Sequence, residues 1–407
     1  MFGKESCVIS VAQASQFIAN IVKPNFQSER VPLVESLDRV LDQTVVADRD
    51  QPPFDRVAMD GIAFYLDFSQ KNNRFKKQAI QAAGEPAKKL VGNEFCIEVM
   101  TGTGLPLGCN CVVPYEHIQD GGDFFDVPNI QDCQIFQNIH RQGEDGKKGQ
   151  VFDFIGQPIH PALLGLLANF GVSQVQVRKM PKILVLTTGS ELVEVNENPL
   201  PHQIRKTNVY SILGLIKSQL GLEVQVSHLA DNKLETVAAL GSALEIYDFI
   251  ILTGGVSQGK FDYVPSVLGD LNVEKVFHKI KQKPGKPLYF GFKNDTYIFG
   301  LPGNPVSSFM CCMKYVLPAL KIWLGEKSQA PTKAILNKDI DVKKSMTFFK
   351  PIKLSTQEGH WIADPIQGSG SGDLVSLVFA DAFVELPEGK EDFKKGESYS
   401  IYRWDKC

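Results

Sequence analysis

The chain has 407 residues, 43% of them apolar, with 43 Lys and Arg against 46 Asp and Glu. At roughly 150 residues per domain, this length predicts two to four domains with ordinary cores. The formal net charge of −3 argues against a protein that mainly binds nucleic acid or an anionic membrane, since both need a sustained basic excess.

The N-terminus and the cysteines indicate where the protein works. The first residues have no long apolar core and no small-residue cleavage site, so no secretory signal is expected. No apolar run approaches the ~18 residues that indicate a membrane span. Eight Cys are too few for a disulfide scaffold, which predicts reduced thiols and a cytoplasmic location. The pairs Cys109/Cys111 and Cys311/Cys312 are interpreted as small buried hydrophobes rather than metal ligands.

The first 170 residues change from helix to strand and back to helix. Residues 8–22 carry apolar side chains at helical spacing. Residues 44–155 contain short alternating runs, broken by Gly, Asn and Asp, that predict a small β-rich domain. A second helix is predicted from His160 to Phe170, with Pro161 in its first turn.

The middle of the chain alternates apolar strands with helices. Strands are predicted at 183–186, 223–227, 249–252 and 297–299, and helices at 207–220, 233–244 and 306–324. This alternation indicates an α/β domain with a doubly wound parallel sheet covered on both faces. After Pro331 the helices stop. Short strands through Trp361, at 366–377 and at 381–386 predict a small β-barrel or sandwich.

Three Gly-rich loops follow predicted strands of the α/β domain. They are Thr188-Gly189-Ser190, Thr253-Gly254-Gly255 and the segment from Gly300 through Pro302, Gly303, Asn304 and Pro305. In an open parallel sheet, ligands bind at the carboxyl ends of the strands. Glycine lets the backbone approach a ligand closely and turns its N–H groups toward anionic oxygens. Three such loops on one edge favour a binding site over turn geometry alone.

The charged residues near these loops predict a phosphate site that uses Mg²⁺. Four lysines surround Pro284-Gly285: Lys279, Lys281, Lys283 and Lys286. Lysine suits phosphate as a point charge, although Lys281 is interpreted as part of a solvated strand edge. Three acids each follow a predicted strand: Glu191, Asp231 and Asp262. Carboxylates are ligands that Mg²⁺ prefers, whereas any one of them alone would more often be a helix cap or a surface acid.

Two further segments are ambiguous when read from the residues alone. Residues 52–61, which end in Asp60-Gly61, and residues 100–106 are both typical of tight turns. None of the seven His lies in a nucleophile or metal pattern, and His278 is interpreted as structural.

Taken together, the segments resemble the molybdopterin molybdenumtransferase family, the MoeA-like proteins related to the gephyrin E domain. The matching segments are PPFDRVAMDGIAF (52–64), MTGTGLPLGCNCVVPYE (100–116), GEDGKKGQV (143–151), LTTGSELVE (186–194), ILTGGVSQGKFDYV (251–264), KPGKPLYFG (283–291), GLPGNPVSSF (300–309) and GSGSGDLVSLVFADAFVELPEG (368–389). They run in order along nearly the whole chain. GLPGNPVSSF and KPGKP are highly specific as a pair.

The resemblance implies insertion of molybdate into the dithiolene of adenylylated molybdopterin. Hydrolysis of the adenylate would depend on Mg²⁺ and would release AMP. It also implies four domains: helical domain I (1–43 and 144–180), β-rich domain II (44–143), the α/β molybdopterin-binding domain III (181–327) and a C-terminal β-barrel domain IV (328–407). A homodimer with a shared cleft is implied too, with a separate molybdopterin adenylyltransferase and recipient apoenzymes as partners.

The resemblance also gives roles to individual residues and so replaces the turn interpretation of 52–61 and 100–106. The implied catalytic residues are Asp60, Thr101, Glu191, Asp231 and Asp262, of which the last three would also hold the metal. The implied substrate-binding residues are Thr188, Gly189, Ser190, Thr253, Gly254, Gly255, Ser257, Lys279, Lys283, Pro302, Gly303, Asn304, Pro305 and Ser371.

The chain departs from the family pattern at a few positions. Arg56-Val57 stand where Asn-Ser is common, Ser190 where Asp is frequent, and Asn110 where an acid is common. Two other functions stay open from the residues. One is adenylylation of molybdopterin by the same fold, whose usual GGTG signature is missing. The other is a non-catalytic scaffold, against which the retained acids argue.

Overall fold

The computed structural model describes residues 8–67, 69, 72–229, 232–255, 264–326, 330–343 and 345–404. The chain divides into two compact units. The first, called here the α/β unit, comprises Met1–Asp42, Gly156–His160 and Val175–Cys407, and the second, the β-rich unit, comprises Gln43–Ile155 and Pro161–Gln174. The finer division into four domains stays a prediction.

The β-rich unit is built on a six-stranded sheet of described residues, as the alternating runs predicted. Its strands, in spatial order, are Cys111–Pro114, Gly61–Phe64, Phe95–Val99, Arg74–Gln81, Phe124–Asp126 and Gln119–Asp120. Alternate side chains along a strand pack into two different cores. Ile62 and Phe64 face one side of the sheet, and Ala63 faces the other. Two short pairs and a helix complete the unit: Val45–Val46 with Val151–Phe152, Arg56–Val57 with Ile139–His140, and the helix Pro161–Asn169. Short 3₁₀ turns lie at Tyr115–His117 and Ile130–Asp132.

The α/β unit contains the predicted doubly wound sheet. Its described strands, in spatial order, are Val224–Leu229, Ile183–Thr188, Phe249–Thr253, Thr296–Leu301, Tyr289–Lys293 and Glu274–Phe277. The first four are mutually parallel, whereas the last two pair antiparallel at one edge. The described helices around the sheet are Val11–Ile21, Asn208–Leu220, Lys233–Ile246, Val264–Asp270, Pro305–Cys311 and Leu317–Trp323, the last two joined by a π-helical turn, Cys312–Val316.

Both faces of this sheet are buried, which explains why its strands are apolar at every position. Along the strand Phe249–Thr253, Phe249 and Ile251 pack into one core, while Ile250 and Leu252 pack into the other. The first core is closed by the helices Val11–Ile21 and Asn208–Leu220, and the second by Lys233–Ile246. The expected parallel sheet with two covered faces is therefore confirmed.

A closed barrel of five described strands lies at the C-terminal end of the same unit. Its strands are Lys333–Leu336, Thr347–Gln357, His360–Pro365, Ala382–Leu386 and Ser398–Arg403, with Gln282–Lys283 added beside Thr347–Gln357. The predicted strand at 366–377 is wrong. Gly-rich residues 368–372 form a loop, and Asp373 caps a short helix, Leu374–Val378, by accepting a hydrogen bond from the N–H of Ser376.

Smaller described elements connect these parts. They are the strand pairs Ser28–Pro32 with Gln174–Arg178, Leu192–Val193 with Ile204–Arg205, and Ile340–Asp341 with Asp392–Phe393, and the 3₁₀ turn Leu33–Glu35.

Cys109, Cys111, Cys311 and Cys312 are buried as expected, and burial raises the pKa of the Cys109 thiol to about 12. Across the described part of the chain, every helix is too short or too polar to span a bilayer.

Gly61→Ala should destabilise the β-rich unit, because a Cβ at Gly61 would lie 2.1 Å from the carbonyl oxygen of Val113 on the neighbouring strand. Relieving that clash should lower the free energy of unfolding by about 1–3 kcal/mol. The control is Gly165→Ala in the helix of the same unit. There an added Cβ would meet no described atom within 4 Å other than its chain neighbours and its own helix backbone, and alanine should add about 0.5–1 kcal/mol. Equal unfolding midpoints for the two variants in urea would contradict the prediction.

Candidate functional site

The register of the parallel strands brings the three Gly-rich loops to one edge of the sheet. Thr187 lies opposite Thr253, and Thr253 lies opposite Leu301. Measured along the strand direction, the three loops therefore begin within one or two residues of one another. The expectation that the loops share an edge is confirmed.

The first two loops pack directly on one another through glycine. Gly254 and Gly255 have φ of +87° and +63°, conformations that glycine adopts without the strain of a Cβ. A Cβ at Gly254 would lie 2.8 Å from the Thr188 carbonyl oxygen, and one at Gly255 would lie 2.5 Å from Thr188 Oγ1. Thr188 Oγ1 is itself buried and has no hydrogen-bond partner among the described residues. This arrangement requires glycine at both positions.

Asn208 joins the second and third loops, and sequence reasoning placed it only in the first turn of a helix. Its Nδ2 donates to Thr253 Oγ1 at 2.9 Å and to the carbonyl oxygen of Gly303 at 2.7 Å. Its Oδ1 is buried and finds no hydrogen-bond partner in the described part of the chain. The signal that could have indicated this role is an amide at the start of the first helix after a Gly-rich strand end.

The predicted metal ligands are only partly described. Glu191 is exposed, and its carboxylate folds back over Gly189, where a Cβ would meet Glu191 Oε2 at 2.6 Å. Asp231, Ser257 and Asp262 lie outside the described residues. Among those that are described, no group of three His, Cys, Asp or Glu is arranged to hold a metal. Of the three expected metal ligands, Glu191 is the one that the structure describes, and it lies beside the first loop.

A cavity of about 520 Å³ lies between the α/β domain and the C-terminal barrel, within the α/β unit. Its lining includes four of the predicted substrate-binding residues: Lys283, Pro302, Asn304 and Ser371. Lys286 and Lys350 add two more cations to the wall, against one carboxylate, Asp341. Lys350 belongs to no recognisable motif and was missed. The volume of the cavity is typical of small-molecule sites, and its excess of lysines over carboxylates suits an anion.

The loops around this cavity are fixed in place by hydrogen bonds. Asn304 Nδ2 donates to Ser371 Oγ at 2.8 Å, and the N–H of Val306 donates to the Ser371 carbonyl at 3.0 Å. On the opposite wall, Gln282 Nε2 donates to the carbonyl of Gly285 at 2.9 Å and its Oε1 accepts from Tyr315 at 2.5 Å. Lys283 and Lys350 lie on the strands Gln282–Lys283 and Thr347–Gln357, and the loops beside them are held by these hydrogen bonds.

Other predicted residues lie apart from this cavity. Lys279 is half-buried and Ser190 is exposed, and neither lines the cavity. His278, interpreted as structural, packs edge-on against Tyr289 with ring centroids 5.6 Å apart.

In the β-rich unit, Asp60 and Thr101 form a hydrogen-bonded pair at the surface. Asp60 Oδ1 accepts from the Thr101 N–H at 2.6 Å and from Thr101 Oγ1 at 2.8 Å. These bonds, the backbone one first, hold the pKa of the Asp60 carboxyl below its usual range. Oδ2 of Asp60 has no hydrogen-bond donor among the described residues. The geometry thus keeps an exposed carboxylate ionised and oriented.

Three protein-family models match the chain in order. They are the MoeA N-terminal region (domain I and II) at residues 9–171, the probable molybdopterin binding domain at 184–322 and the MoeA C-terminal region (domain IV) at 333–404. The chain is 36% identical over 401 residues to the molybdopterin molybdenumtransferase of Synechocystis sp., covering 98% of this chain and 100% of the relative. It is 33% identical to the molybdopterin molybdenumtransferase of Staphylococcus aureus strain Mu50, covering 97% of this chain and 95% of the relative. The crystal structure of the molybdopterin biosynthesis MoeA protein from Pyrococcus horikoshii OT3 superimposes with a TM-score of 0.81 at 30% identity, covering 98% of this chain and 100% of that one.

Thr101→Val should raise the pKa of Asp60 toward its ordinary value, because it removes the side-chain hydrogen bond to the carboxylate. The shift should be partial, since the Thr101 N–H still donates. A depressed carboxyl pKa stabilises the fold above the ordinary carboxyl range, and this contribution is lost as the pH falls through the depressed value. An NMR titration of the Asp60 carboxyl carbon measures the shift. Thr101→Ser keeps the hydroxyl and should titrate like the parent; a valine variant that does so too would contradict the assignment.

Proposed function

The chain belongs to the molybdopterin molybdenumtransferase family, and from that membership we propose that it inserts molybdate into adenylylated molybdopterin with Mg²⁺-dependent release of AMP. Membership makes it a transferase of molybdenum cofactor biosynthesis. The observation that carries the finer proposal is the cavity of about 520 Å³ with three lysines in its wall. Molybdate is a dianion, and a cavity with two more cations than carboxylates favours it over a neutral ligand.

Lys283, Lys286 and Lys350 would bind the molybdate oxygens in this cavity. Lys283 Nζ lies 5.9 Å from the ring centroid of Phe348, within the distance of a cation–π contact. Asn304 and Ser371 hold each other across the cavity wall and orient the loop that carries Pro302. Lys279 is proposed to bind an oxyanion on the family resemblance alone.

The edge formed by the three Gly-rich loops would bind the pterin and its phosphate. Glycines in the left-handed region, such as Gly254 and Gly255, can turn their backbone N–H groups toward an anionic ligand. Thr188 Oγ1 and Asn208 Oδ1 are buried polar atoms without a hydrogen-bond partner among the residues described. A ligand hydrogen bond to them would offset a cost of roughly 1–3 kcal/mol for each unmade bond. This pattern supports a polar ligand at the same edge as the cavity.

The acids would serve hydrolysis of the adenylate. Glu191, with Asp231 and Asp262, would hold Mg²⁺, which supplies Lewis-acid polarisation of the phosphoanhydride when bound. Asp60, kept ionised by Thr101, would orient a water or a substrate donor from the β-rich unit.

The assembly is proposed on the same resemblance. The protein would work in the cytoplasm as a homodimer in which the Asp60 loop of one subunit serves the cleft of the other. Its partners would be a separate molybdopterin adenylyltransferase, which supplies the substrate, and the apoenzymes that receive the cofactor.

Purified protein should release AMP from adenylylated molybdopterin only when molybdate and Mg²⁺ are both present, with active cofactor formed. Chromatography of the nucleotide and reconstitution of an apoenzyme measure the two products. Omitting either molybdate or Mg²⁺ is the control. Consumption of ATP with formation of pyrophosphate would favour the adenylylation step instead. Tight pterin binding without turnover would favour a scaffold.

Lys283→Ala should weaken molybdate binding by roughly 10- to 150-fold, because it removes a charge-assisted contact worth ~1.5–3 kcal/mol. Equilibrium dialysis of molybdate against the purified variant measures the change. Lys281→Ala is the matched control, since Lys281 is an exposed lysine two residues away that does not line the cavity. Equal affinities in the two variants would refute the placement of molybdate.

A further inference from the structure

Gln282 lies in the wall of the cavity of about 520 Å³ and directly precedes Lys283. Its side chain is 1% exposed, although glutamine is found mostly at protein surfaces. Burying an amide costs free energy unless its hydrogen bonds are made within the protein. The partners of this amide therefore indicate why a glutamine lies here.

Both ends of the Gln282 amide are hydrogen-bonded. Nε2 donates to the carbonyl oxygen of Gly285 at 2.9 Å and to Cys311 Sγ at 3.5 Å. Oε1 accepts from the hydroxyl of Tyr315 at 2.5 Å. Because a carbonyl oxygen can only accept, the bond to Gly285 determines which end of the amide faces it. The buried side chain thus has one orientation, and its main contact is with the backbone of Gly285.

Gly285 lies between two lysines of the cavity wall, Lys283 and Lys286. Main-chain hydrogen bonds hold the base of this segment, since the N–H of Ile280 donates to the Lys286 carbonyl at 3.0 Å. Gly285 has a φ of +84°, and a Cβ there would lie 2.5 Å from Cys311 Sγ. The turn between the lysines is therefore packed against the end of the helix Pro305–Cys311, where Gln282 bonds its carbonyl.

The hydroxyl that bonds Gln282 comes from an irregular part of a helix. Tyr315 is 1% exposed and belongs to the π-helical turn Cys312–Val316. Such turns are frequent at functional sites. The preceding residue, Lys314, extends to the C-terminal barrel, where its Nζ lies 2.9 Å from Glu385 Oε2. The π-helical turn therefore contacts the lysine segment through one residue and the barrel through its neighbour.

We propose that Gln282 is a positioning residue for the anion in this cavity, because its bond to Gly285 fixes the backbone that carries Lys283 and Lys286. Tyr315 acts with it by fixing the amide. A lysine ammonium is a point charge on a flexible stem, so fixing its backbone reduces the freedom that is lost when an anion binds. The role rests on the proposed function, which places molybdate in this cavity.

A positioning role and a merely structural role predict different results for a double variant. Gln282→Met leaves the buried hydroxyl of Tyr315 without its acceptor, which destabilises the fold, whereas removing both partners of a buried hydrogen bond is nearly neutral. Gln282→Met combined with Tyr315→Phe should therefore be more stable than Gln282→Met alone. The Gly285 carbonyl loses its donor in both variants, so a positioning role predicts that molybdate affinity stays low in both.

The test is equilibrium dialysis of molybdate against the full-length protein, with the unfolding midpoint of each variant measured in urea. Gln282→Met should weaken molybdate binding by roughly 2- to 12-fold, the factor for one net hydrogen bond, and the double variant by a similar factor. Tyr315→Phe should weaken binding in the same direction. In the AMP-release assay, KM for molybdate should rise while kcat is unchanged, because the loss is in binding.

Thr296→Val is the matched control. Thr296 is buried at the start of a strand of the same sheet, its Oγ1 donates to the Tyr247 carbonyl at 2.9 Å, and it does not line the cavity. This variant also loses a buried hydrogen bond and stability, but it should bind molybdate like the parent.

Three results would overturn the positioning role. They are unchanged affinity in Gln282→Met, affinity that recovers with stability in the double variant, and an equal loss of affinity in Thr296→Val. If Gln282→Met does not fold, Tyr315→Phe is compared with Thr296→Val, and equal affinities of these two overturn the role. A parent protein that binds no molybdate contradicts the proposed function and the role together, whereas binding by the parent with unchanged variants contradicts the role alone.

Discussion

The in-register pairing of parallel strands is the constraint on which the rest of the α/β unit depends. Because Thr187, Thr253 and Leu301 lie level across three strands, the chain must turn three times in one small region. Only glycine permits the turns to come so close, as the contacts of Gly254 and Gly255 with Thr188 show. The site is therefore a consequence of sheet geometry, and side chains such as Asn208 refine it by joining adjacent turns.

Two cavities of the molecule differ in the charge of the residues that line them. Among its described lining residues, the cavity of the α/β unit has three lysines and one acid. A cavity of the β-rich unit, lined by Phe54 and the loop 102–109, has two acids, Asp55 and Glu85, and no lysine or arginine among the lining residues described. In a medium of lower dielectric than water, such differences act strongly on charged ligands.

The sequence predicted those features that depend on local patterns. The strand Phe249–Thr253 was recognisable because buried parallel strands are apolar at every position, and the Gly-rich loops because their composition is unusual. The antiparallel edge strands Glu274–Phe277 and Tyr289–Lys293 were missed, since the first begins with two charged residues and the second is short and contains Gly291. Lys350 could not have been found, because the barrel strand that carries it reaches the cavity only through long-range pairing. At 366–377 the apolar residues suggested a strand, but the cap at Asp373 determined a helix.

The hydrogen bonds between Ser371 and the loop at Asn304–Val306 bear on how this architecture could evolve. A loop of the α/β domain is held in place by a segment of the C-terminal barrel, so the two are not interchangeable modules. A related sheet that occurs without such a barrel must stabilise its last loop by other means or leave it mobile. The barrel is thus a structural part of the ligand-binding edge, and recombination between families would have to transfer both together.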